Sequence, residues 1–148
     1  MIRLLVLSTI LALVGCNGQT GPPSVSEKST ARPLLSDRVE MLEKYVKFRR
    51  EYVQLEYEIV FQNNGVGLAP GPSDWDIRLV AKVPVGELDD WIDQGMTADV
   101  APAKAWHLET GTEIDATNVV EWYSDGQRSV GIDRTGSVVA YRNSTLGQ

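Results

Sequence analysis

Val53-Gln54-Leu55-Glu56-Tyr57-Glu58-Ile59-Val60-Phe61-Gln62 decides the fold. Val53, Leu55, Tyr57, Ile59 and Phe61 alternate with Gln54, Glu56, Glu58, Val60 and Gln62. A period of two is that of a strand with one buried face. Ile77, Leu79, Ala81 and Val83 repeat it, with Asp76, Arg78 and Lys82 opposite. Upstream the period is helical. Val39, Leu42, Val46 and Val53 follow spacings of three, four and seven, and Asp37 with Glu40 reads as a capping box. The spacing predicts a helix over 37–50 whose other faces, with Glu40, Glu43, Lys44, Lys47, Arg49, Arg50 and Glu51, meet solvent.

Downstream, Pro84 ends the second strand, and Val85 or Gly86 opens a short helix that Gly95 closes. Val85, Leu88 and Ile92 form its apolar face, with Trp91 one turn from Leu88. Residues 96–117 read mostly as loop. Strands return at 118–123, 127–133 and 137–142, joined at Asp125-Gly126 and Thr135-Gly136, and Asp-Gly is a hairpin signal. The expected fold is α+β: an antiparallel sheet of about five strands, wet on one side, with the N-terminal helix and the short second helix packed on the other.

Composition narrows the function classes. Net charge is −6 with a pI near 4.8, which argues against nucleic acid, whose binding requires a basic face. One Cys and one His exclude a disulfide framework, a cysteine-based zinc cage and a multi-histidine metal site. No cofactor fingerprint is present.

At the amino terminus Arg3 precedes an apolar run, Leu4 to Leu13, broken only by Ser8 and Thr9. A spanning helix needs about 20 apolar residues, so this run has signal-peptide length. It ends in Leu13-Val14-Gly15-Cys16, which resembles the lipobox of bacterial lipoproteins. The resemblance implies cleavage between Gly15 and Cys16, a diacylglyceryl group on the Cys16 thiol and a membrane anchor. An Asp after the cysteine commonly marks inner-membrane retention in double-membraned bacteria. Asn17 there points to the outer membrane, with the domain facing the periplasm; in a host with one membrane the anchor is the plasma membrane. The leader carries one of the 14 basic residues and none of the 20 acidic ones, which leaves the mature chain at −7.

Residues 1–15 are thus expected as signal peptide, 16–34 as lipidated Cys16 and a disordered tether rich in Gly, Pro, Ser and Thr, and 35–148 as one extracytoplasmic domain. A flexible tether of that length spans roughly 20–25 Å.

Candidate site residues cluster around residues 63–76. The connection 63–73 is longer than the two to five residues usual for hairpins, and it offers Gly65, Gly67 and Leu68 for contact. Asp74 and Asp76 flank Trp75 on one face of a strand, an arrangement that suits a hard cation, a general acid and base, or a turn with a solvated acid. Trp75 and Trp106 border loops and are the tryptophans suited to contact, whereas Trp91 reads as core. His107 stands beside Trp106, and no Gly-x-Ser-x-Gly elbow accompanies it. Asp93 faces Asp89 across one helical turn and calls for a neutralising cation, expected from Lys82 or Lys104. Pro70-Gly71-Pro72-Ser73-Asp74-Trp75-Asp76-Ile77-Arg78 is similar to uncharacterised exported bacterial proteins, which implies no activity.

The expected function is that of a membrane-anchored, non-catalytic binding or accessory domain of the cell envelope, without metal or cofactor, acting on an envelope protein partner. Two alternatives are an inhibitor or immunity-type protein against a basic toxin or lysozyme-like enzyme, and an envelope hydrolase using Asp74, Asp76 and His107.

Overall fold

The two alternating runs do pair with each other, residue for residue, from Gln54↔Lys82 to Gln62↔Asp74. The computed structural model describes residues 23–65, 71–101, 108 and 113–145. In chain order its strands are β1 (Val25–Lys28), β2 (Gln54–Gln62), β3 (Asp74–Lys82), β4 (Thr97–Asp99), β5 (Glu121–Ser124), β6 (Arg128–Asp133) and β7 (Val138–Ser144). All pairings are antiparallel, in a single sheet of order β1-β2-β3-β7-β6-β5-β4.

This corrects the expected fold class. Instead of about five strands and two helices, the domain is mostly one seven-stranded sheet. Among the described residues there is one α-helix, α1 (Leu35–Leu42), with 3-10 turns at Ser29–Ala31, Val85–Glu87 and Asp89–Trp91. Each difference has a local cause. The helix expected over 37–50 begins at Leu35 without a side-chain cap and ends at Leu42. The amides of Tyr45 and Val46 both bond to the Leu42 carbonyl, which tightens the last turn. Beyond it, Tyr45, Val46, Phe48, Tyr52 and Val53 are aromatic or β-branched residues of low helix propensity, and this segment continues through turns and bends, with Tyr45, Val46, Phe48 and Tyr52 packed on the apolar face. The expected second helix breaks into two three-residue turns at Leu88.

β1 and β4, both edge strands, are additions to the expected set. β1 lies within the span read as disordered tether, so the tether's upper limit of residue 34 is corrected as well: chain order begins by Val25. Ser24 Oγ accepts the Asn63 amide at 2.8 Å, and Val25 sits opposite Phe61.

The face under α1 holds Leu55, Tyr57 and Ile59 of β2, Leu79 of β3, Val130 of β6 and Val139 of β7, packed against Met41, Leu42, Leu88 and Trp91. Each such side chain contributes about 1.5–3 kcal/mol on burial. The opposite face is not wet, as alternation suggested: Glu56 and Glu58 are 8% and 4% exposed. Across this face the register aligns Lys28, Glu58, Arg78 and Arg142. Lys28 Nζ lies 3.6 Å and Arg78 Nη2 3.0 Å from the Glu58 carboxylate. Asp76 bridges onward, 3.3 Å from Arg78 and 3.0 Å from Arg142. Alternating charges can be covered because each finds its counter-ion one strand away. Beside this row a second apolar cluster forms from Val80, Val119, Trp122, Val138 and Ala140. Gly131 makes room for it, since a Cβ there would stand 2.5 Å from Val119 Cγ1 and 2.7 Å from the Trp122 ring.

Candidate functional site

The irregular segment after α1 packs on the apolar face and leaves a cleft of about 440 Å³ between itself and the sheet. Tyr45, Val46, Lys47 and Phe48 form one wall; Phe61, Trp75, Tyr141 and Asn143 form the other, with Gln127 and Arg128 closing one side. Strand parity places the second wall: Phe61 and Trp75 are direct partners one row from the end of the β2–β3 ladder. The rings meet at an angle rather than face to face. Tyr45 lies 5.2 Å from Phe61, and Phe48 stands edge-on 5.3 Å from both Tyr141 and Trp91. Arg49 holds the segment in place by donating to the Val46 and Phe48 carbonyls.

Three polar side chains of the cleft, those of Trp75, Asn143 and Arg128, are already engaged by partners. Trp75 Nε1 donates to Asn143 Oδ1 at 2.9 Å. Arg128 is bound by Asp93 and by Asp125, 2.6 Å away. Burial raises the Tyr141 hydroxyl to a pKa of about 12, with a hydrogen bond from the Asn143 side chain opposing it. Burial alone pushes the Asp125 carboxyl up, but the hydrogen bonds from Arg128 and Gln127 hold it below the usual carboxylate range. Lys47 is exposed and stands in none of the ion pairs among the described residues.

Of the residues expected at a site, Trp75 lies in this cleft. Asp74 and Asp76 do share a strand face, and neighbouring side chains engage both. Asp74 accepts from Asn64 Nδ2 at 3.1 Å and from Thr145 Oγ1 at 3.4 Å, and Asp76 is held between two arginines. Asn64 also closes the base of the 63–73 connection, donating to the Pro72 carbonyl at 3.0 Å. The Gly65 amide donates to Asn63 Oδ1 at 2.9 Å, an Asx turn. Gly15, Cys16, Gly67, Leu68, Trp106 and His107 lie outside the described residues. Asp93 is neutralised by Arg128 and Arg50 rather than by Lys82, because the 3-10 turns bring it over β6; Lys104 lies outside the described residues. Among the described residues no group of three or more acidic or histidine side chains could hold a metal ion, and no helix is long and apolar enough to cross a membrane.

The sequence reading missed Tyr45, Lys47, Phe48, Phe61, Tyr141 and Asn143. The available signal was three aromatics, Tyr45, Phe48 and Tyr52, within eight residues and off the stripe assigned to a helix. Searches against family models, curated proteins and solved structures find no match to this chain.

Proposed function

We propose that the chain is a lipid-anchored protein of the bacterial cell envelope and that its domain is a non-catalytic binding module with the aromatic cleft as its site. The cleft carries this reading: its volume falls within the roughly 300–1,000 Å³ of ordinary ligand sites, and aromatic rings line it on both sides. The anchor rests on the lipobox sequence Leu13-Val14-Gly15-Cys16. Hydrolysis is the less supported alternative, because Asp76, one of its named acids, is occupied by Arg78 and Arg142.

A photo-cross-linking side chain placed at position 47 in the native host tests the site. The expected result is a discrete adduct, whatever its mass, that Trp75→Ala diminishes in a protein that still folds. Absence of any adduct, or one indifferent to Trp75→Ala, overturns the cleft as the site. Cys16→Ala tests the anchor by itself: it releases the protein from the membrane fraction, and retention there overturns the lipobox assignment.

A further inference from the structure

We infer that the cleft takes an acyl chain of an anionic bilayer lipid, with Lys47 meeting the headgroup; this rests on the proposed anchor and on the cleft as the binding site. Three observations converge on it. The first is where the chain enters the domain. The Tyr45 hydroxyl, on one cleft wall, donates to the Pro23 carbonyl at 3.3 Å, and β1 starts opposite Phe61, on the other wall. Pro23 lies seven residue steps along the chain from Cys16. Fully extended they reach about 25 Å, and as a flexible coil about 15 Å. The cleft therefore opens at the end of the domain that the anchor holds against the bilayer.

The second observation is chemical. A sugar or peptide needs free hydrogen-bonding groups along its site, but between the rings Trp75 Nε1 and Asn143 Oδ1 serve each other and Arg128 is held by two carboxylates, which leaves the exposed Gln127 amide and Lys47 at the margin. An unfunctionalised hydrocarbon chain asks for nothing more than the ring edges and faces present. The third is charge. Lys47 is the exposed cation of the lining and lacks a carboxylate among the described residues, so it suits the phosphate of a lipid whose tail lies between Phe48 and Trp75. Tyrosine and tryptophan at this end also match the preference of these side chains for the membrane interface.

The test uses the intact lipidated protein in vesicles of phosphatidylethanolamine and phosphatidylglycerol whose acyl chains carry bromine, a contact quencher of tryptophan. Intact mass and flotation with the vesicles report on the anchor separately, so loss of the anchor and an empty cleft give different results. Bilayer bromine is expected to quench an emission component that Trp75→Phe removes and that Phe48→Arg, which puts charge into the cleft, abolishes while the protein still floats. Lys47→Glu is expected to weaken occupancy by phosphatidylglycerol about fivefold, and Lys47→Arg to retain it. Because Lys47 is exposed, its variants decide the matter even where Phe48→Arg fails to fold. Quenching indifferent to both Phe48→Arg and Lys47→Glu places Trp75 on the bilayer surface and overturns the inference. Floating protein with blue-shifted Trp75 emission and no quenching overturns it too, assigning the cleft to the protein's own acyl chains; an unshifted, unquenched spectrum means an empty cleft.

Discussion

On the face under α1, Leu55, Tyr57, Leu79, Val130 and Val139 exclude water with aliphatic and aromatic carbon. On the opposite face of the same strands, Glu58, Arg78 and Arg142 are covered as a charged row, with Asp76 bridging the two arginines. The first face gains from every carbon it hides. The second must match each ion to a counter-ion, since an unpartnered buried charge costs several kcal/mol. The difference lies in tolerance: the apolar face should degrade in proportion to what is removed, whereas the charged row should fail when one member is lost and recover when a pair is lost together.

The largest effect is expected on the apolar side. Leu79→Ala, at a fully buried position, should cost about 2–5 kcal/mol in urea denaturation. Glu58→Gln should cost about 2–3 kcal/mol, below the range for fully buried pairs because Arg78 keeps some exposure to solvent. The double variant Glu58→Met with Arg78→Met should recover much of that loss. Additive losses in the double variant would remove the contrast between the two faces. Gly131→Ala tests the small apolar cluster beside the charged row. Overpacking against Val119 and Trp122 should cost about 1–3 kcal/mol, with a change in near-ultraviolet circular dichroism from Trp122.

Titration separates the faces again. On the apolar side burial raises the hydroxyls of Tyr52 and Tyr57 and brings Tyr141 up to about 12. An unfolded tyrosine titrates near 10. Stability from these groups is thus complete below about pH 10 and is lost as pH rises toward 12, because the unfolded chain releases protons that the folded one keeps. Tyr141→Phe should flatten that alkaline limb in pH-dependent melting. The smallest effect is expected at the sheet edge. The Arg32 hydrogen bond holds the Glu27 carboxyl below its usual range, so its contribution is present above about pH 4.3 and is lost as pH falls through the lowered value. Glu27→Gln should remove that part of the acid limb, at a cost of about 0.2–1 kcal/mol at neutral pH.

Alternation was legible wherever packing rewards it. Residues 54–62 pair as read, β3 extends the second run back to Asp74, and the three C-terminal strands fall within a few residues of their expected places. What alternation could not convey is the fate of the polar set. Glu56 and Glu58 look the same in sequence whether they face water or an arginine on the next strand. The two edge strands were hidden for a related reason: Val25-Ser26-Glu27-Lys28 and Thr97-Ala98-Asp99 pair through backbone with little apolar content. Trp75, singled out by its place beside a loop, does line the cleft. The rest of the cleft was not, because the helical spacing of Val39, Leu42 and Val46 continued on paper past the point where Tyr45 and Phe48 leave the helix.

β1 also sets how the domain bears load. Tension applied to the chain ahead of Val25 reaches the sheet through four backbone register pairs, Val25↔Phe61 to Lys28↔Glu58. A pull along the strand axis, countered at the far end of the sheet, shears those pairs together, whereas a pull across the axis peels them singly from Val25 onward. The Glu27 carboxylate, which accepts from both Arg32 and the Tyr57 hydroxyl, is the rivet at the middle of that seam. The direction of the force, more than its size, therefore decides whether the domain holds or begins to open beside its own cleft.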